Sequence, residues 1–467
     1  MPDSPFLPTS AAACLNPPQH LLHIQIFLMF KAFALWRSRI ILAIAILCSA
    51  CMAYYHLAVF VRRAQQTRAA QGLGNGVSFG ADFYPIWLTA RDGLLSHRDP
   101  YSPEMTGQIQ TGLFGRPIDA RLHAAPINYR AFSYPAFTDI LLWPFALLPF
   151  GLARIVLAFV LPAVTISSIF LWLRFLRLRA SPFTLTLLIF LTLSSYPVLE
   201  GLFAEQMGLL AAFLLAASLT ALAGQKLFLS GSLLALALIK PQMILLVAAY
   251  LLLWSIARWR DRRPFVIGFL SASGTLLIAS LLVWPHWIPA WLRVIAGYRQ
   301  YSTPPLVSYL LGNWIGPRLG PILIAALLIS APVLAWRMRR ASPHSFEFAG
   351  TICLLLAVTT ITILPGHAVY DHVVLLPGII LIALSWRDFA ASLPCRGILS
   401  ASAIALFWPW LAAPLVLATR GMLSRELGSA ILMLPIRTAA AIPFGVCALL
   451  SLMMRRAIAG RNISRTS

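Results

Sequence analysis

Polar and apolar positions alternate along this chain in blocks, not residue by residue. Apolar runs read against proline, glycine and charged breakers fall near 40–61, 151–173, 183–200, 202–224, 227–239, 242–257, 264–284, 317–336, 347–365, 373–386, 397–419 and 438–454. Runs of this length, separated by short basic clusters, predict an all-α integral membrane protein with about twelve transmembrane helices. One polytopic domain over 40–454 is expected, between an N-terminal segment, 1–39, and a tail, 455–467.

Two places break the pattern. The interval 62–150 is too long and too polar for a tight connection, and it closes with "YPAFTDILLWPFALLPF". Counting Phe137 to Phe150 as a span would invert every later loop. With Asp139 and Pro144 inside it and Trp143 at headgroup-seeking depth, it reads as a helix lying at the interface. The run Leu227 to Ile239 reaches only about 20 Å at 1.5 Å per residue, short of an unthinned bilayer. It ends in "IKPQ", where Pro241 disfavours helical geometry at Lys240, and such a break inside a membrane is tolerated where it lines a cavity.

Composition fits the pattern: 60% of residues are hydrophobic, 11% are charged, and mean hydropathy is +0.81. A net charge of +22 would suit nucleic acid, but the basic residues sit between apolar runs, so membrane topology accounts for them. If both termini are cytoplasmic, 20 of the 36 basic residues fall inside, in the short clusters from Lys31 to Arg465. Only Asp3, Asp261, Glu347 and Asp388 of the 14 acids join them, so the acidic chemistry faces out. The six cysteines avoid the long loop and form no disulfide framework; Cys48 and Cys51 lie inside an apolar run. No removable signal peptide is expected, and Met29 is a second possible start.

The long loop carries the informative residues. Asp82-Phe83-Tyr84 is followed by Trp87 and Ala90-Arg91, then Asp99-Pro100-Tyr101, then Phe132-Ser133-Tyr134-Pro135. Further on stand Glu205-Gln206 between two spans, Lys240-Pro241-Gln242, and "LPGHAVYDH" with His367. This combination resembles the integral-membrane glycosyltransferases of family 87, relatives of polyprenol-phosphate-mannose-dependent mannosyltransferases, over about Ile40 to Trp386. It departs from them at Glu205, where the family usually has glycine.

The resemblance implies a GT-C fold, a polyprenyl-phosphate sugar as donor, a glycolipid or polysaccharide acceptor, and the loop acid as base. The chemistry of the acid can be argued separately. A sugar phosphate loses its leaving group as an anion, so no second carboxyl is needed to protonate it, and one base suffices to deprotonate the acceptor hydroxyl. Asp82 lies just beyond a membrane exit among aromatics; the other reading is a helix cap or a salt-bridge partner for Arg91. The departing phosphate calls for cations or donors, and Arg91, Lys240 and His367 are candidates. Lys240 could equally snorkel into water, and Asp371, His367 and His372 have no metal-binding spacing.

Tyr84, Trp87, Tyr101 and Tyr134 offer stacking walls for sugar, while Glu205 and Gln206 could bind sugar hydroxyls or cap a helix. Asp92 and Asp99 read as turn residues. There is no D-x-D and no phosphate-binding glycine loop ending in Lys-Ser/Thr, so nucleotide-sugar and ATP chemistry are not expected. No cofactor is implied, and assistance by a divalent ion is left open. The expected location is the cytoplasmic membrane, multi-pass, with the site facing the exterior. The competing class is a secondary transporter built around the broken helix at Lys240.

Overall fold

The computed structural model describes residues 19–70, 78–118, 129–298, 300, 302–314, 316–390, 396–419, 421–422, 431–439 and 441–466. The N-terminal stretch 1–18 and most of the glycine-rich connector at 72–80 lie outside the described residues. The chain divides after Leu47 into two compact units. The first contributes helix from Gln19, and the second, Cys48–Ser467, holds every candidate site residue.

Helix α1, Gln19–Tyr54, passes through a π-helical segment, Tyr55–Val61, into α2, Arg62–Ala70. The loop that follows contains α3, Tyr84–Ser96, and α4, Pro103–Phe114, and then not one interfacial helix but two short ones, α5, Phe137–Leu141, and α6, Trp143–Ala146. The break falls at Leu142, whose φ of −101° and ψ of 10° are not helical, just ahead of Pro144, which starts a helix well and continues one badly.

Beyond the loop, α7 covers Phe150–Leu176, α8 Pro182–Leu193, α9 Tyr196–Ala204, α10 Met207–Ala223 and α11 Leu227–Leu236. Then come α12, Pro241–Ile256; α13, Trp259–Val283; α14, Trp287–Tyr298; α15, Leu306–Trp314; and α16, Leu319–Met338. The last are α17, Phe346–Thr362; α18, Leu376–Ala390; α19, Arg396–Thr419; α20, Leu434–Ala439; and α21, Ile442–Thr466. Each of the twelve apolar runs is met by helix. Among the described residues, five helical segments are long and apolar enough to cross a membrane, or six when α8 and α9, bent by 56° at their junction, count as one span. The others, such as α10 and α12, are 17 and 16 residues long, near or below the lower limit for a full crossing. Helix α21 runs on through Thr466, so the segment expected as a tail, 455–467, is helical as far as it is described.

Lys240 sits where the chain breaks: α11 tightens into a 3₁₀ turn, Ala237–Ile239, Lys240 takes φ −134°, and α12 opens on Pro241. The break is held by an unusually close helix pair. A Cβ on Gly231 would strike backbone atoms of Phe265 and Phe269 in α13, and one on Gly268 would strike the backbone of Phe228 in α11. Ser232 adds a 3.2 Å bond to the Gly268 carbonyl. Small residues that let two backbones touch are the usual means of helix association where lipid offers no hydrophobic drive. The long loop is tied on by two indoles: Trp284 Nε1 donates to the Arg98 carbonyl at 3.0 Å and Trp291 Nε1 to the Ser133 carbonyl at 2.9 Å.

Because backbone cannot yield as a flexible side chain can, Gly231→Ala is expected to destabilise the protein by roughly 1–3 kcal/mol, the usual cost of overpacking. Ser232→Ala should cost less, as read by thermal unfolding of the two variants in detergent.

Candidate functional site

The loop that carries Asp82 is laid along the turn between α9 and α10. Gly80 N–H donates to the Phe203 carbonyl at 2.9 Å and Asp82 N–H to the Ala204 carbonyl at 3.1 Å. Two left-handed residues make the fit: Gly80 at φ +76° and Glu205 at φ +55°. At Gly80 any side chain would be excluded, since its Cβ would lie 2.7 Å from Glu205 Oε2 and 2.8 Å from Arg154 Cδ. This docking sets Asp82 beside Gln206, although 124 positions separate them in the chain.

A continuous polar chain results. Arg130 pairs with Asp82 Oδ1, and Gln206 Nε2 donates to Asp82 Oδ2. Gln206 Oε1 accepts from Lys240 Nζ at 2.8 Å and from the Tyr134 hydroxyl at 3.3 Å. Lys240 Nζ then donates to Asp371 Oδ1 at 2.6 Å and lies 4.7 Å from the centre of the Tyr370 ring. Lys240 does not snorkel: it is 5% exposed, and Asp371 is 1% exposed. The orientation of the Gln206 amide follows from its neighbours, because a carboxylate can only accept and an ammonium can only donate.

His367 is placed by a short pairing of two loops. Leu306 N–H donates to the Leu364 carbonyl at 3.2 Å, Gly366 N–H to the Pro304 carbonyl at 3.0 Å, and His367 Nδ1 shares a 2.9 Å bond with Thr303 Oγ1. Desolvation of the ring lowers its pKa, with Asp82 opposing and Arg130 and Lys240 assisting, so the ring is neutral near pH 7. Burial raises the pKa of Tyr134 and Tyr298, and Asp82 adds to both, so their hydroxyls stay protonated and can donate. Burial works against the charge on Arg130, and Asp82 more than restores it.

Of the residues singled out in sequence, Asp82, Tyr134, Gln206 and Lys240 converge here, while His367 bonds to Thr303. Tyr101 stands one step back: its hydroxyl donates to the Tyr134 carbonyl at 2.7 Å. Arg91 does not join them. It reaches the carbonyls of Ala146 and Leu148 at 3.3 and 3.4 Å and packs over Trp87, so it fastens α3 to the chain leading into α7. Tyr84 and Trp87 serve the same seam, packing on each other and on Phe150. The ion-pair partner of Asp82 is Arg130, not Arg91.

Glu205 caps the end of α9 through its backbone, in left-handed geometry with its N–H on the Gly201 and Leu202 carbonyls, and its side chain takes no part in the polar chain. It is fully buried, neither carboxyl oxygen has a hydrogen-bond partner, and burial, opposed by Arg154, raises its pKa from 4.5 to about 8. Asp139 is also kept protonated by burial, with Thr89 bonded to one of its oxygens at 3.1 Å, and it joins α3 to α5.

Sequence reasoning did not single out Arg130. It stands two positions before the Phe132-Ser133-Tyr134-Pro135 motif, in left-handed backbone at φ +55°, and Gln110 Nε2 holds the neighbouring Tyr129 carbonyl at 2.7 Å. Asp371 was noticed beside His367, but its pairing with Lys240, 131 positions away, has no local signal. Behind Asp371, an apolar slot of about 490 Å³ opens between α8, α9, α18 and α19. Leu188, Tyr196, Leu376, Ile379, Trp386 and Trp410 wall it, and His372 borders it next to Asp371.

Membrane-length apolar helices together with a connected chain of carboxylates, amide and cations define a helical membrane protein with a concentrated polar centre. The sequence profile of Glycosyltransferase family 87 matches residues 132–365, half of the chain, and the protein belongs to that family. It is therefore a membrane glycosyltransferase. The match takes in Tyr134, Gln206 and Lys240, whereas Asp82, Arg130, His367 and Asp371 lie outside it. No curated protein and no solved structure matches the chain.

The raised pKa of Glu205 has a definite sign. A protonated acid is favoured in the folded state, so its contribution is complete below the unfolded value of 4.5 and is lost as pH rises through about 8. Between those limits the wild type should lose thermal stability relative to Glu205→Gln, and the two curves should run parallel above about pH 9.

Proposed function

We propose that the protein transfers a hexose, with mannose the first to test, from a polyprenyl-phosphate sugar to an envelope glycolipid or polysaccharide. Transfer takes place at the outer face of the cytoplasmic membrane, with inversion, and Asp82 is the general base. The observation that carries this reading is the setting of Asp82: a half-buried carboxylate with one oxygen on Arg130 and the other on Gln206, backed by Lys240. Arg130 brings a positive charge and Gln206 an amide donor to the two carboxylate oxygens, and these contacts fix the carboxylate in place.

In the reaction, the acceptor hydroxyl attacks the anomeric carbon while Asp82 takes its proton. The bond from that carbon to the phosphate oxygen breaks, and the electron pair leaves on phosphate. Lys240 and Arg130 stabilise that charge, and neutral His367 donates a hydrogen bond to it. Tyr134, Tyr298 and Tyr370 supply protonated hydroxyls and ring faces for the sugar. The apolar slot bordered by His372 suits an isoprenoid chain, and its walls are almost wholly hydrocarbon. Arg91, Tyr84 and Trp87 keep the loop in place, and Glu205 supports the turn under Asp82.

In this reading the helices too short to cross alone, α10 to α12 and α17, form the interior of a GT-C fold of about twelve segments. There they border a polar cavity, the setting in which broken backbone is tolerated within a membrane.

Transfer from a polyprenyl-phosphate sugar, assayed in membranes, should fall by about 10²–10⁴-fold in Asp82→Asn, the usual contribution of a positioned base. Asp92→Asn, which alters an exposed pair with Arg98, should keep near wild-type activity. Full turnover in Asp82→Asn would overturn the assignment. Comparing envelope glycolipids and polysaccharides with and without the protein identifies the acceptor.

A further inference from the structure

One cation near Asp82 has no role in the polar chain. Arg68 lies on the last turn of α2, within electrostatic reach of both Arg130 and Asp82. Its neighbours Arg62 and Arg63 are exposed, as a polar helix end beyond a membrane would have them, but Arg68 is half-buried, and its Nη1 is buried without a hydrogen-bond partner. A solvated arginine at a helix end keeps its guanidinium in water. This one is half-buried where the charge of Arg130 opposes it, and it leaves a buried donor unsatisfied. Two guanidiniums flanking one carboxylate are stable together when an anion shares them.

The charges at the centre say how large that anion is. Arg68, Arg130 and Lys240 are positive and Asp82 and Asp371 negative, which leaves one positive charge. A sugar phosphodiester carries one negative charge and neutralises it. During transfer the proton of the acceptor hydroxyl passes to Asp82, and the centre rises to two positive charges as the phosphate leaves with its electron pair. That phosphate is now a monoester of charge about −2. The balance holds on both sides of the reaction only if Arg68 is counted.

We infer that Arg68 is a direct ligand of the donor phosphate, and that it matches the site to a lipid carrying one phosphate instead of two. This rests on reading the site as one for a lipid-linked sugar phosphate. Arg130 already pairs with Asp82 and Lys240 with Asp371, so a further guanidinium lets the leaving group be held without displacing Arg130 from the base.

The test uses the full-length protein in lipid nanodiscs and three probes that share one hydrocarbon chain: farnesyl phosphate, farnesyl diphosphate and farnesol. The wild type should bind farnesyl phosphate more tightly than farnesol and gain nothing from the diphosphate. Arg68→Ala should weaken farnesyl phosphate at least tenfold and leave farnesol unchanged, Arg68→Lys should recover part of the loss, and Arg62→Ala should bind as wild type. Thermal unfolding of each variant accompanies the titrations, and Arg68→Lys carries the test if Arg68→Ala does not fold. Farnesyl phosphate binding in Arg68→Ala within twofold of wild type would overturn the role of Arg68 alone. An equal loss in Arg62→Ala would overturn it as well, by showing a diffuse charge effect. A wild type that prefers the diphosphate would overturn the match to one phosphate. If the wild type does not distinguish farnesyl phosphate from farnesol, the lipid-phosphate reading of the site falls too.

Discussion

A single side-chain amide joins the two charged pairs of this protein. Gln206 faces a carboxylate with its NH₂ and an ammonium with its oxygen, and no other uncharged side chain of that length offers both a donor and an acceptor across one planar group. A glutamate there would repel Asp82, and a lysine would repel Lys240. The amide keeps Arg130–Asp82 and Lys240–Asp371 adjacent without letting either pair take the other's partner. The elements around it then have definite tasks: the left-handed turn at Glu205 presents Gln206, Gly80 brings Asp82 down to it, and the break at Lys240 frees an ammonium from helical geometry.

Burying Lys240 and Asp371 is costly, since removing two charges from water commonly outweighs their attraction unless further hydrogen bonds intervene. Here Gln206 and the Tyr370 ring complete the lysine's surroundings. A buried pair of this kind adds little net stability, but it fixes where a positive charge stands. Placement of that kind suits a reaction in which negative charge appears on a leaving group in a site of low dielectric constant.

The parts of the site legible in sequence were those with a local signature. Pro241 marked the break at Lys240, and the crowding of acid and aromatics after the first span marked Asp82. The rest depended on contacts across the fold. Nothing near position 371 announces a lysine from position 240, and Arg91 seemed the natural partner of Asp82 because it is near in sequence. Helix α3 instead carries Arg91 away along its length, toward Ala146 and Leu148, while Arg130 arrives from the far side of the loop. The count of spans was the least legible feature. Hydropathy marks apolar runs, but whether a 16-residue helix crosses or stops inside depends on the neighbours that enclose it.

The seven-residue π segment Tyr55–Val61 sets the rotational phase of everything after it in the first long helix. A π turn takes in an extra residue relative to an α turn, and each residue of an α-helix advances about 100° around the axis. Losing one residue between Tyr55 and Val61 would let the segment close as regular α-helix. That loss would nearly keep the face of Arg68, because the wide turn already holds the extra residue, whereas the same loss in the α-helical stretch before Tyr55 would swing Arg68 by about 100°. The protein is thus exposed to a kind of lesion that hydropathy cannot register: a one-residue deletion that leaves the span intact and points its polar end in the wrong direction.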